Sequence, residues 1–280
     1  MLGVILGIAI GGSVLCGAVV LRGKQLRVRT EILNYSALPE VFDGFRICLL
    51  SDLHERRYGK ENKKLFRKIK QQHPDLILFA GDLTPRNGKM QNLLALLSAL
   101  TGTGTPVFLV GGNHDPRFYG KYTPEEVLAW QEAIRNTNAV LLEHHTVPVC
   151  RDGSVLWLTG VGYDNWKEAQ TLLPENGFRL LLCHNPMLFD HLSALPELTL
   201  AGHVHGGLIR LPGIGAIFSP GDGIPIHKRF HRRYFFPKYH CGIYRNGTSR
   251  LAVTVGLGCS VLPVRIIRPE IMVLELKKSK

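Results

Sequence analysis

The sequence has no feature that would divide it into several units or tie it together covalently. No Gly- or Pro-rich linker, internal repeat or low-complexity tract interrupts its 280 residues, which favours one substantial folded domain. The six cysteines are scattered and include no Cys-x-x-Cys pair. Cys48 and Cys183 lie in apolar runs, where a reduced thiol packs as a small hydrophobic group. We therefore expect reduced cysteines, as is usual in the cytoplasm.

Acidic residues are also comparatively few. The chain has 34 Lys and Arg residues against 22 Asp and Glu residues, which gives a formal net charge of +12. A basic protein is attracted to polyanions, which include nucleic acid, anionic lipid headgroups and phosphorylated small molecules. The charge alone does not distinguish among these partners.

Charged residues are absent from Leu2 to Leu21, a run built mainly from Leu, Ile, Val, Ala and Gly. About 20 apolar residues are enough to cross a ~30 Å hydrocarbon core. No basic residue precedes the run, and those that follow it are Arg22, Lys24, Arg27 and Arg29. The positive-inside rule then places the rest of the chain in the cytoplasm. A cleaved signal peptide would have a basic start and a shorter apolar region, so we interpret residues 1–24 as a retained, single-pass membrane anchor.

Beyond residue 24, short apolar runs alternate with amphipathic segments. This alternation predicts one α/β domain over residues 45–280, preceded by a connector and first strand region at 25–44. Helices are expected at Glu61–Gln72, which has one apolar face, and from Thr123 to about Asn136, where a capping box begins the helix. The runs that we interpret as strands are Phe45–Leu50, Leu76–Ala80, Val107–Val110, Leu156–Leu158, Leu180–Cys183, Leu198–Ala201, Leu251–Val255 and Ile271–Leu276.

Five of these runs are followed by Asp, Asn or His. Ligands bind beyond the carboxyl ends of strands in open α/β sheets, so these side chains should converge. Each pattern alone is also typical of a capped turn or a buried histidine, but five sets of oxygen and imidazole donors together favour a metal site. The two histidines of the last segment should project to the same side if that segment is extended. The segments are SDLH (Asp52, His54), GDL (Asp82), GGNHD (Asn113, His114, Asp115), CHNP (His184) and GHVHGG (His203, His205).

This ordered set of motifs resembles the calcineurin-like metallophosphoesterase superfamily, over roughly Phe45 to Leu276. The segments SDLHERRYGKEN, GHVHGGLIRLP and GLGCSVLPVRIIRPEI look like the membrane-anchored bacterial branch of that superfamily. The resemblance implies an α/β fold in which a sandwich of two β-sheets is flanked by helices, here preceded by one transmembrane helix. It also implies a hydrolase that cleaves a phosphate ester or pyrophosphate bond with two divalent metal ions and a bridging hydroxide.

The resemblance also implies a role for each motif residue. The implied ligands of one metal ion are Asp52, His54, Asp82 and His205. The implied ligands of the other are Asp82 (which bridges the two ions), Asn113, His184 and His203. His114 would be the catalytic residue that faces the substrate. Oxygen and nitrogen donors without thiolate suit Mn²⁺, Fe or Zn²⁺, and we favour Mn²⁺.

One position departs from the family pattern. Many members carry a second acidic residue three positions beyond the Asp of GDL, where it orients the histidine of GNHD, but this chain has Pro85 there. Either Asp115 replaces that partner of His114, or the substrate has a good leaving group. Arg86 and Arg57 are predicted to contact the phosphate.

Two basic clusters favour a phosphorylated lipid or lipid-linked nucleotide as substrate, because basic and aromatic residues bind anionic membrane surfaces. An alternative is a phosphodiesterase for nucleic acid or cyclic nucleotides, which the anchor disfavours. Another is a non-catalytic scaffold, which would have lost metal ligands, whereas this chain keeps them all. The clusters are Arg56, Arg57, Lys60, Lys63, Lys64, Arg67 and Lys68, and the segment His227–Phe236.

Overall fold

A computed structural model describes residues 25–85, 88–116, 122–163, 166–207, 209–211, 215–219, 236–259 and 267–279. Its strands are β1 (Arg27–Tyr35), β2 (Arg46–Leu50), β3 (Leu76–Ala80), β4 (Val107–Val110), β5 (Val140–Leu141), β6 (His145–Arg151), β7 (Ser154–Gly160), β8 (Phe178–Leu182), β9 (Leu198–Ala201), β10 (Ile209–Leu211), β11 (Gly215–Phe218), β12 (Gly242–Asn246), β13 (Ser249–Val253) and β14 (Glu270–Lys278). Its α-helices are α1 (Lys63–Lys70), α2 (Gln91–Thr101), α3 (Pro124–Arg135) and α4 (Trp166–Leu172). Short 3₁₀ turns occupy Glu40–Phe42, Lys60–Asn62 and Pro186–Asp190.

The strands form two mixed six-stranded sheets and one small hairpin. The first sheet has the order β1-β14-β2-β3-β4-β5, and the second has the order β12-β13-β9-β8-β7-β6. Strands β2, β3 and β4 are parallel, as are β7, β8 and β9. The hairpin pairs β10 with β11. The predicted two-sheet sandwich is therefore confirmed for the described residues.

The apolar faces of the two sheets pack against each other. Ile47 and Leu76 of the first sheet share one buried cluster with Leu156, Leu180 and Leu198 of the second. These strands read as nearly continuous apolar runs because the other face of each sheet is also covered. Helices α1, α2 and α3 cover the outer face of the first sheet, and the Pro186–Asp190 turn and α4 cover the outer face of the second.

The helices follow the expected patterns where the sequence contains capping or apolar-face signals. In α1, Leu65 and Ile69 are buried while the basic side chains are exposed. The predicted capping box begins α3, since the Thr123 side chain accepts from the Glu126 N–H and the Glu126 carboxylate accepts from the Thr123 N–H. The sequence did not predict α2, whose leucines run almost without interruption and so lack a clear period.

The predicted anchor, residues 1–24, lies outside the residues that the structure describes. So does most of the second basic cluster, although its last residue, Phe236, is described and exposed. Among the described helices, none is long and apolar enough to cross a bilayer.

Candidate metal centre

The side chains predicted to converge lie at one end of the sandwich, where β2, β3, β4, β8 and β9 finish. We call this the carboxyl end. Five of the seven predicted ligands adopt a left-handed backbone conformation, which turns each chain segment sharply after its strand. These residues, with their φ angles, are Asp52 (53°), His54 (47°), Asp82 (56°), His203 (72°) and His205 (52°). Such conformations cost about 1–3 kcal/mol each outside glycine and concentrate at functional sites.

Three of these side chains form a first buried cluster. Asp52 Oδ1 lies 3.9 Å from His54 Nε2 and 3.8 Å from His205 Nδ1. These separations are too long for hydrogen bonds. They fit donor atoms that share one cation, because each ligand atom lies about 2.0–2.2 Å from the metal. Asp52, His54 and His205 together could hold one ion.

A second buried cluster lies beside the first. His184 Nε2 is 3.4 Å from Asp82 Oδ2, 3.1 Å from His203 Nδ1 and 3.1 Å from Asn113 Oδ1. Asp82, His184 and His203 could hold a second ion, and the Asn113 carbonyl oxygen is placed to add a fourth donor. The two histidines of GHVHGG therefore serve different clusters. Both residues have a left-handed backbone conformation, so the segment is not extended and the expectation for an extended segment does not apply to it.

The carboxylate of Asp82 connects the two clusters. Its Oδ2 lies 3.4 Å from His184 Nε2 in the second cluster and 3.7 Å from His54 Nε2 in the first. Its Oδ1 accepts a hydrogen bond from the backbone N–H of His114 at 2.8 Å, which fixes the orientation of the carboxylate. A single oxygen is thus directed at the space between two sets of donors.

Hydrogen bonds outside the clusters orient the ligand atoms. The Nδ1 of His184 lies 2.6 Å from the carbonyl oxygen of Ala80, so it must donate its proton there. The lone pair of Nε2 then faces the second cluster, which is the arrangement that metal-binding histidines usually have. Asp52 Oδ2 accepts from the His203 N–H at 3.1 Å and from the Ser51 hydroxyl, which leaves Oδ1 directed at the first cluster.

Buried donor atoms without partners indicate that the first cluster is built for a cation. Asp52 Oδ1 and both ring nitrogens of His54 are buried and make no hydrogen bond with any residue that the structure describes. Leaving such atoms unsatisfied costs about 1–3 kcal/mol each, and more for a charged group. A divalent cation bound in the cluster would take Asp52 Oδ1 and one ring nitrogen of His54 as ligands, so these residues fit the metal that the motifs imply.

The ionisation of the clusters supports the same interpretation. Burial raises the pKa of the Asp52 carboxyl to about 7, although the charge of His184 opposes this. Burial also lowers the pKa of His54 to about 4. Burial would lower the pKa of His184 as well, but the Asp82 and Asp52 carboxylates outweigh it and raise the value to about 9. These groups compete for protons in a buried space, and bound metal ions take the place of such protons.

Two glycines allow the clusters to assemble. A Cβ atom at Gly112 would collide with Asp82 Oδ1 and lie 2.7 Å from Asp82 Cγ. A Cβ atom at Gly202 would collide with the Ser51 hydroxyl and lie 2.8 Å from Asp52 Oδ2. The glycines that precede the Asn and His ligands are therefore required by the close approach of the two carboxylates.

Two of the three residues predicted to contact substrate, His114 and Arg57, lie beside the first cluster. The ring of His114 packs edge-on against that of His54, with centroids 5.3 Å apart. Arg57 is exposed and lines a small cavity that also contains His54, Pro85 and Lys89. Arg86 lies outside the described residues.

Asp115 does not replace the acidic partner that Pro85 removes. Its carboxylate accepts from the backbone N–H groups of Leu83, Thr84 and Gly112, at 2.8–3.3 Å. Among the described residues, none of its hydrogen bonds goes to the ring of His114. Asp115 instead ties the loop that follows β3 to the loop that follows β4.

Comparison with known proteins identifies the family. A family model described as calcineurin-like phosphoesterase matches residues 45–207, which is more than half of the chain. The chain belongs to the calcineurin-like phosphoesterase family. It is therefore a hydrolase, and the resemblance inferred from the motifs is confirmed.

Three relatives illustrate the range of the family. The uncharacterised metallophosphoesterase YkuE of Bacillus subtilis is 28% identical over 270 residues, which cover 92% of this chain and 88% of YkuE. Phosphodiesterase YaeI of Escherichia coli is 28% identical over 263 residues, 90% of this chain and 88% of YaeI. UDP-2,3-diacylglucosamine pyrophosphatase LpxG of Chlamydia muridarum is 28% identical over 158 residues, 53% of this chain and 44% of LpxG.

The sequence did not indicate the contribution of Tyr163 to this phosphoesterase. Tyr163 lies three residues beyond β7 at the carboxyl end, and it is buried. Its hydroxyl is 3.4 Å from His203 Nε2, the ring nitrogen that points away from the second cluster. Its ring centroid lies 5.7 Å from that of His184. The only indication in the sequence was that Tyr163 follows a strand, as the polar motif residues follow theirs.

Replacing Gly112 with Ala should remove bound metal without unfolding the protein. The added Cβ must displace the carboxylate of Asp82, so Gly112→Ala should lose most of its Mn²⁺ on dialysis, as measured by elemental analysis. Gly104→Ala is the matched control, because nothing lies within 4 Å of a Cβ there. Gly104→Ala should keep its full metal content. It should lose only about 1 kcal/mol of unfolding free energy, because alanine is strained in the left-handed backbone there. Equal metal content in the two variants would contradict the placement of Asp82.

Proposed function

We propose that this chain hydrolyses a phosphate ester or pyrophosphate bond of a membrane phospholipid or lipid-linked nucleotide, with two divalent metal ions. One observation carries the reaction class: two buried clusters of oxygen and imidazole donors meet at a single carboxylate oxygen, Asp82 Oδ2. Two cations about 3.5–4 Å apart repel each other, so an anion shared between them is needed. Asp82 is placed to be that anion.

The donor set limits which metals can bind and determines the net charge of the site. We propose Asp52, His54, Asp82 and His205 for one ion and Asp82, Asn113, His184 and His203 for the other. Two divalent cations carry four positive charges against the two carboxylates, Asp52 and Asp82, which leaves +2 at the site. When bound, such ions neutralise charge on phosphate oxygens and make water a nucleophile at neutral pH. Donors without thiolate favour Mn²⁺, with Fe or Zn²⁺ as alternatives.

His114 is proposed to act on the substrate. Its backbone N–H holds Asp82 Oδ1, and its ring stands beside that of His54, so the side chain is placed at the rim of the first cluster. From there the imidazole can steady the phosphate or give a proton to the leaving oxygen. Asp115 binds backbone N–H groups and does not orient the imidazole. Steadying the phosphate is the role of His114 that needs no acidic partner.

The choice of a lipid substrate rests on three supporting observations. The apolar run at 2–21 is long enough for a bilayer. Basic side chains, including Arg57 and Lys89, border the first cluster. One relative, LpxG, is named as a pyrophosphatase of a diacylated nucleotide sugar. A phosphodiesterase acting on nucleic acid or cyclic nucleotides is the second candidate, because YaeI is named a phosphodiesterase.

A substrate comparison tests the proposal. The full-length chain in detergent should hydrolyse a nucleotide-diphosphate lipid faster than an aryl phosphomonoester or an aryl phosphodiester, and only with added Mn²⁺.

Asp82→Asn should lower kcat/KM by more than about 10²-fold, because replacing even a residue that only orients a metal ligand costs 10–100-fold. Asp43→Asn is the control, since Asp43 pairs with Lys277 at the opposite end. An Asp82→Asn protein that stays active with two ions would contradict the two-metal site. A preference for the aryl diester would favour the second candidate.

Leaving-group dependence separates the two roles of His114. If the imidazole protonates the leaving oxygen, His114→Ala should slow esters with poor leaving groups by about 10²–10⁴-fold and activated aryl esters much less. Asp82→Asn should slow both classes alike. Equal losses on both classes in His114→Ala would show that the residue only positions the phosphate.

A further inference from the structure

The described chain begins at the carboxyl end of the sandwich. Arg27, the first residue of β1, pairs with Glu270, the first residue of β14. Strand β14 runs antiparallel to β2, with Met272 opposite Leu49. Glu270 therefore lies beyond the last residue of β2, at the level of Ser51, the residue before Asp52. The segment that precedes β1 must approach the domain from the end that carries the metal ligands.

A partly buried ion pair holds the start of β1 next to the first cluster. Arg27 Nε donates to the Glu270 carboxylate at 2.9 Å, and Glu270 is fully buried. The same carboxylate accepts from the Val255 N–H at 3.2 Å. The next residue, Gly256, lies so close to Asp52 that an added Cβ would be 2.7 Å from the Asp52 Cβ. Arg27 is thus linked to Asp52 through three consecutive contacts, with Glu270, with Val255 and between Gly256 and Asp52.

The connection between the apolar run and β1 is short. Five residues, 22–26, separate Leu21 from Arg27. An extended chain spans at most about 3.3–3.6 Å per residue, so the connection reaches no more than about 20 Å. If the run at 2–21 lies in a bilayer, the carboxyl end must stay within that distance of the membrane surface.

Charge is distributed along the carboxyl end in a way that suits an anionic surface. Basic residues lie on the side of β1, β2 and β3, whereas the acidic Glu125 and Glu126 begin α3, which contacts β5 at the far edge of the same sheet. Each Lys or Arg near an anionic membrane adds to the electrostatic attraction. The basic residues of this side are Arg56, Arg57 and Lys89, which line the cavity beside His54 together with the acidic Glu55, and Arg268, which donates to Gln25.

We propose that the carboxyl end faces an anionic lipid surface, held there by the short connection before β1 and by the basic residues beside it. The metal ligands then lie at the level of the headgroups, and a lipid phosphate reaches them without leaving the bilayer. This inference rests on the proposed function for its choice of a lipid partner. It concerns the orientation of the domain, which is measured independently of turnover.

Fluorescence quenching by headgroup-labelled lipid tests the orientation. The full-length chain is reconstituted into vesicles of equal parts phosphatidylcholine and phosphatidylglycerol that contain nitroxide-headgroup lipid. A fluorophore is attached at Lys89→Cys, at the carboxyl end, or at Thr248→Cys, in the exposed turn between β12 and β13 at the opposite end. Both variants are made in a background where other reactive cysteines are serine, namely Cys16, Cys150, Cys241 and Cys259.

Position 89 should lose several-fold more fluorescence than position 248. Inserting about 20 Gly and Ser residues between Lys24 and Gln25 adds a coil of about 25 Å and should reduce the loss at position 89. Equal quenching at the two positions, or stronger quenching at position 248, would overturn the proposal, and so would an insertion without effect. Because the quenching is measured without added metal ions and needs no turnover, a failure of lipid hydrolysis would leave this result intact and would count only against the proposed function.

Discussion

In the proposed two-metal site, electrostatic repulsion between the cations is the central constraint, and the carboxylate of Asp82 is placed to offset it. One oxygen faces His54 of the first cluster and His184 of the second, while the other oxygen is held by the backbone of His114. Two cations bound in these clusters would need such an anion between them. Gly112 follows from this need, because any side chain there would displace Asp82.

The rest of the fold serves to bring five loops to that carboxylate. Parallel strands β2, β3 and β4 in one sheet and β8 and β9 in the other end together, and their apolar faces pack into one core. The site itself destabilises the folded chain, because Asp52, Asp82 and His203 have left-handed backbone and some buried ligand atoms have no hydrogen-bond partner among the described residues. Burial of the apolar core offsets this cost. Metal ions bound among the clusters would return part of that free energy.

Much of this architecture could be predicted from the sequence, for physical reasons that also explain the failures. Strands Leu76–Ala80, Val107–Val110 and Leu198–Ala201 match residue for residue, because short apolar runs end abruptly at Gly or polar residues. The convergence of Asp52, Asp82 and His184 followed from the rule that strand ends meet. The separation of His203 and His205 into two clusters followed only from the family resemblance, since nothing in GHVHGG itself signals left-handed backbone at histidine. Tyr163 was missed because a single aromatic residue after a strand has no distinctive pattern. The predicted anchor and Arg86 stay predictions.

The account depends most on two metal ions that share one carboxylate oxygen. Crystals of the protein grown with Mn²⁺ and measured near the manganese absorption edge would locate both ions directly. We expect two anomalous peaks about 3.5–4 Å apart, one among Asp52, His54 and His205 and the other among His184, His203 and Asn113, with Asp82 between them. A single peak, or two peaks with Asp82 bound to only one of them, would contradict the account.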